Sequence, residues 1–252
     1  QVAAFSTEQI SHLSTAKIQS LTSTQVTGIE VQDIASMTAA QVLALRAENI
    51  RVLSVGQIQA VSTSAIASLK IDQIKALRTS EIAALGAAQV AALTDIQINN
   101  LETKQVSAFK NIQIQSLRSI GVAALRIESL NVMTTMQVAA LSSQQLSAIG
   151  SAFAQNNNTD TNWHDDTINI NSFTVTQFQS ISWRAIGGLT STQASAITTE
   201  QMASLSVTQL RALTTTATQA LSSDQMRSLS TAQINSLTTD QLSNLSSEQL
   251  IS

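Results

Sequence analysis

From Ser6 the chain divides into eights, STEQISHL, STAKIQSL, TSTQVTGI and onward without a slip to SSQQLSAI, which ends at Ile149. A period of eight suits neither a continuous helix nor a plain strand. Eight residues turn an α-helix by about 800°, so an apolar pair drifts about 80° around the axis with each repeat and smears over every face. In a strand the two apolar positions, the fifth and the eighth, differ by an odd number and point to opposite sides. The backbone therefore has to change direction within every repeat.

The rules inside the octad say how. Counted over 27 regular octads, the eighth position is always apolar, from Leu13 through Phe109 to Leu245, and the fifth is apolar except at Thr218. The fourth is Gln in 18 of them, the first is most often Ser or Thr, the seventh is usually Ala or Ser, and the sixth varies freely (Ser11, Gln19, Leu43, Arg51, Lys75). Ser or Thr followed three residues later by Gln is a capping box, in which the hydroxyl accepts from a backbone N–H and the Gln reaches back to the cap's own N–H. The apolar residues flanking that box form a hydrophobic staple, as in Leu13 with Ile18 and Leu21 with Val26. The period is then the distance from one helix cap to the next. Helices of about six residues are far below the roughly 12 to 15 needed for marginal stability in water, so neighbours must hold them. The expectation is an all-α solenoid of very short capped helices, one per octad, with Ile18, Leu21, Val26, Ile29, Ile74 and Leu77 in its core and the sixth position outside. The alternative is a β-solenoid with one strand per octad, favoured by Ile or Val at the fifth position and disfavoured by the Ala, Gln and Leu content and the scarcity of Gly.

The octads fill residues 1–149 and, in the same phase, 174–252; residues 150–173 form a degenerate interruption three octads long. Within it DTININSF (166–173) still places Ile170 and Phe173 at the fifth and eighth positions, so the divergent part is 150–165. Asn156, Asn157 and Asn158 with the acids that follow read as a polar loop. Asn158, Asp160, Asn162 and Asp166, alternating with His164 between them, have the hard oxygens that suit Ca2+, although Trp163 and Asn169 stand where an EF-hand loop has Gly and an acid. A solvated loop with no ion is the other reading.

Composition narrows the function. Charged residues are 12% of the chain, about half the usual share, and there is no Pro, Cys or Tyr, a bias that goes with tandem repeats. A net charge of -3 supplies no basic field for a phosphate backbone, so nucleic acid is not an expected partner. No apolar run approaches the length of a membrane span. His12 occupies a seventh, normally small position, and no nucleophile or carboxylate pair stands apart from the repeats, so an enzyme is not expected. Arg46, Lys70, Arg78, Lys110, Arg118 and Arg126 at first positions read either as a solvated edge or as a surface that pairs with a neighbouring molecule.

LTTDQLSNL and ALTDIQI resemble the tandem octads in repeat regions of large bacterial surface and secreted proteins. The resemblance implies an extracellular or cell-surface location and an architectural role. A second likeness, to the opening of TAL effector repeats, fails on period and charge. The leading expectation is therefore a structural protein that forms or extends an extracellular filament, stalk or sheath by self-association. Both ends stop inside a repeat, as suits a segment of something longer or subunits joined end to end. The other expectation is an adhesin or binding module that presents the 150–165 loop to a surface glycan or a cation.

Overall fold

A computed structural model describes residues 7–149 and 170–251. The described residues contain 28 α-helices, one 3-10 turn at Ile170–Ser172 and no strand. The helices are four to six residues long, as in Trp183–Ile186 and Ala39–Ala44, and successive caps lie eight residues apart. The chain is an all-α solenoid, and the strand alternative is displaced.

Each octad is built the same way. The fifth-position N–H donates to the first-position carbonyl, as Val42 does to Thr38 at 3.0 Å, and the eighth-position N–H closes a tighter bond on the fifth carbonyl, as Leu45 does to Val42 at 3.1 Å. The chain then leaves the helix through two extended residues, Leu45 at φ -62°, ψ 139° and the next cap Arg46 at φ -76°, ψ 158°. Both conformations are open to any L-residue, so the corner needs no glycine. A β-branched fifth residue is tolerated because it sits in barely one turn of helix and gains its stability from burial.

The chain forms two compact units, Gln1–Leu117 and Arg118–Ser252. In the first, helices three octads apart pack on one another, so Ala39–Ala44 contacts both Thr15–Gln19 and Thr63–Ser68. The fifth- and eighth-position side chains fill the interior: Ile18, Val26 and Ile74 are fully buried, and Leu21, Ile29 and Leu77 nearly so. In the second unit the same stacking runs from Val175–Ser180 to Thr199–Ser204 and from Thr199–Ser204 to Ser223–Arg227.

The 3-10 turn Ile170–Ser172 takes the place of a helix in that array. It packs against Ile127–Asn131 on one side and Ser191–Ala196 on the other, with Ile170 and Phe173 buried. Nearby, Gly188 lets the backbone approach Ser143 closely: a Cβ there would lie 2.8 Å from the Ser143 Cβ.

Candidate functional site

What repeats most strictly besides the core is the fourth-position glutamine, and the structure gives it two tasks. Its Oε1 accepts from the N–H of the first residue of its own octad, at 2.8 Å from Thr38 to Gln41 and 2.9 Å from Thr94 to Gln97. Its Nε2 turns the other way and donates to backbone carbonyls of the preceding solenoid turn. Gln41 donates to the carbonyls of Ile10 at 3.0 Å and Leu13 at 2.8 Å, 31 and 28 residues earlier. The same offsets recur from Gln97 to Ile66 and Leu69, and from Gln241 to Leu210 and Leu213. The acceptors are the fifth and eighth residues four octads back, while the stacked helices are three octads apart, so one turn takes between three and four octads. These glutamines are buried, and no side-chain nitrogen or oxygen buried among the described residues lacks a partner.

Among the five octads of the first unit whose fourth residue is not Gln, those of Asn49 and Glu81 show what replaces it. Asn49 is too short for both carbonyls and reaches only Leu21, at 3.3 Å; Arg46, the first residue of its octad, adds a second donor to that carbonyl at 2.9 Å. Glu81 has no donor at all. Arg78 supplies one, its Nη2 donating to the Leu53 carbonyl at 3.0 Å and to Glu81 Oε1 at 2.7 Å, while its Nε donates to Glu81 Oε2 at 2.8 Å. Burial pushes the Glu81 carboxyl up, but hydrogen bonds from the Arg78 side chain, the Ser80 hydroxyl and the Arg78 N–H outweigh it and hold the group below the ordinary carboxylate range. The bond to Glu81 raises Arg78 in turn. Arg46 and Arg78 thus bind the preceding turn of their own solenoid, which neither reading of the first-position cations anticipated.

The ladder also counts across the interruption. Gln193 donates to the Ile149 carbonyl, 44 residues back, and Gln201 to the Phe173 carbonyl, 28 residues back. Gln193 and Gln201 are one octad apart, and so on the ladder are Ile149 and Phe173, yet 24 residues separate those two in sequence. The ladder counts 16 residues, two octads, fewer than the chain. The oxygen-rich set Asn158, Asp160, Asn162 and Asp166, with His164, lies outside the described residues. His12 is exposed, with Nδ1 2.7 Å from the Glu8 carbonyl.

At its C-terminal end the second unit presents a different surface. The fifth-position residues Leu210 and Met202 are fully buried, whereas Ile234 is 36%, Leu242 42% and Leu250 63% exposed. They line a hollow of about 300 Å³ together with Leu237 and Leu245. Each ladder acceptor takes its donor from 28 residues ahead, which for Leu229, Leu237 and Leu245 is a position past residue 252.

Three stretches of this octad array match the ALTTAQ repeat. They are residues 66–103, 195–231 and 224–252, two of them overlapping and together reaching through the exposed last turn. No curated protein matches the chain. The ALTTAQ matches agree with the octad period and its glutamine, and mark a tandem-repeat region. No helix among the described residues is long and apolar enough to cross a membrane.

The capping half of the glutamine's work is legible in the sequence; the cross-turn half is not read from it. The signal was available. A capping box accepts Glu as well as Gln, yet the fourth position holds Gln 18 times and Glu once, at Glu81. Only Gln carries the amide donor.

Proposed function

We propose that this chain is a non-catalytic structural protein whose octads extend an extracellular bacterial filament, stalk or sheath by self-association. One observation carries the reading: the described octads repeat a single cross-turn contact, a fourth-position amide on carbonyls 28 and 31 residues before it, from Gln41 on Ile10 and Leu13 to Gln241 on Leu210 and Leu213, so the array extends by adding octads. The uniform interior supports the same reading. Its polar groups are spent on holding one turn to the next, and its apolar groups on the core. Extracellular location rests on the resemblance to bacterial surface repeat regions.

Electron microscopy of the purified chain without added ligand tests the proposal. Filaments with a regular axial repeat are the expected result. Dispersed monomers over the whole accessible concentration range would overturn it.

A further inference from the structure

We propose that Trp183, Arg184 and Arg211, on the side of the second unit, form a binding site for an acidic polysaccharide, a role separate from self-association. The octad SWRAIGGL (182–189) gives up the ladder glutamine for Ala185. It carries Trp183 and Arg184 at its second and third positions, where the octads on either side, TVTQFQSI and TSTQASAI, have Val-Thr and Ser-Thr. Trp183 does not serve the core. The described phenylalanines, Phe109, Phe173 and Phe178, stand at fifth or eighth positions and are buried, whereas Trp183 is 47% exposed. An indole is among the largest apolar surfaces a side chain offers, and here it is left to a partner outside the solenoid.

Two cations flank it. Arg184 stacks on the indole, its guanidinium carbon 4.6 Å from the ring centroid. A guanidinium laid on a ring keeps its in-plane N–H donors directed outward. Arg211 joins from the next turn: Trp183–Ile186 packs on Val207–Ala212, and a Cβ on Gly187 would lie 3.1 Å from the Ala212 carbonyl oxygen. Gly187 and Arg211 are the sixth residues of these stacked octads, and Arg184 lies three residues before Gly187, on the same side of its turn. The bare Gly187 therefore lies between two exposed arginines, with the indole alongside. The positive charge is local. The chain as a whole carries -3, yet the stacked helices Ser143–Ala148, Trp183–Ile186 and Val207–Ala212 contain two arginines and no acid, and no acid occurs from Thr174 to Thr199.

An exposed ring flanked by cations selects an anion that also presents a flat apolar face. A pyranose bearing a carboxylate has both: its C–H face packs on the indole, and its carboxylate takes parallel hydrogen bonds from the stacked guanidinium. The next acidic sugar of the same polymer meets Arg211. A neutral sugar makes no use of the arginines, and a nucleic-acid strand asks for a longer basic track than two cations on a chain of net charge -3.

Polygalacturonate titrated into the full chain at low salt, followed by calorimetry, tests the site. The native chain binds it, and Trp183→Thr and Arg184→Gln each weaken binding by about tenfold or more, with a smaller loss for Arg211→Gln. Each replacement is one that the octads already carry at that position, as in Thr199, Gln144 and Gln179, and circular dichroism checks that the fold is unchanged. The methyl-esterified polymer, which keeps the ring and loses the charge, and polyglutamate, which keeps the charge and loses the ring, both bind about tenfold more weakly than polygalacturonate. A native chain that ignores polygalacturonate, or a Trp183→Thr variant that binds it as well as the native chain, overturns the site. Polyglutamate or a single-stranded oligonucleotide binding as tightly overturns the sugar assignment. Electron microscopy of the same variants without polymer is expected to match the native chain, so failure of this site and failure of self-association are read separately.

Discussion

In the nine octads from Thr174 to Leu245 the first residue is Ser or Thr every time, whereas in the 18 from Ser6 to Ile149 it is so in nine, the others being Glu, Lys, Arg or Gly. The local structure absorbs the difference on one side of the cap only. With a hydroxyl, the fourth-position N–H donates to it, as Gln201 does to Thr198 at 3.1 Å. In some octads without one, that N–H turns to the first-position carbonyl in a tighter bond, Gln105 to Glu102 at 2.8 Å and Gln113 to Lys110 at 2.9 Å. The other bond is the same in both regions: the first-position N–H donates to the glutamine at 2.9 Å from Glu102, 2.8 Å from Gly86 and 2.8 Å from Ser206. The hydroxyl half of the capping box faces solvent and has substitutes. The glutamine half is buried and keeps its partner.

The comparison orders the expected effects of mutation. The core is common to both regions, so Leu77→Asp and Leu213→Asp should be equally and most severely damaging, about 4 kcal/mol or more, while Lys75→Asp stays within about 0.5 kcal/mol. Urea unfolding followed by circular dichroism measures all three, and a Lys75→Asp loss matching that of Leu77→Asp breaks the inside and outside assignment.

Arg78→Ala should cost about 3 kcal/mol by leaving the Glu81 carboxylate buried without its partner. It should also reverse a pH trend. In the native chain the folded-state pKa of Glu81 is lowered, so its stabilisation is present above the ordinary value of 4.5 and is lost as pH falls through the folded value. In the variant burial raises that pKa, so the Glu81 contribution improves as pH falls. Converting the octad to the common form, Arg78→Thr with Glu81→Gln, should restore native stability at neutral pH and flatten the dependence; melting temperatures from pH 3 to 7 decide it.

Gln97→Ala and Gln209→Ala each strip two carbonyls of their donor and should cost about 2 kcal/mol alike, since the buried half of the contact does not differ between the regions. A clearly smaller loss at Gln209 would show that the later octads rely on their hydroxyl caps instead. Smallest is the cap itself. Thr198→Ala should cost about 1 kcal/mol and Lys110→Ala almost nothing, because no side chain caps the helix there. Equal losses in paired melting curves would mean that the tighter backbone bond at Lys110 is no substitute for a hydroxyl.

The octad, its cap and its inward positions are legible because they are local: each depends on residues within eight of one another, and burial of Ile18, Leu21, Ile74 and Leu77 follows from their spacing. The number of octads per turn is not legible that way. It depends on how far a Gln side chain extends to carbonyls 28 and 31 residues behind it, a distance no local rule contains. The arginine substitution leaves a faint trace. Arg46, Arg78, Arg118 and Arg126 all open octads whose fourth residue is something other than Gln, namely Asn49, Glu81, Gly121 and Ser129. Read one octad at a time these look like charged surface residues; read with their fourth residues, Arg46 and Arg78 are donors moved three places along.

Every cross-turn bond of a fourth-position amide described above runs from a later residue to an earlier one. A chain made from its N-terminus therefore never waits for a partner still to be synthesised: when a glutamine emerges, the carbonyls it needs are already in place. Each new octad docks on a finished template. Folding can then keep pace with synthesis, and a pause at any octad boundary leaves an ordered stub with one sticky rim.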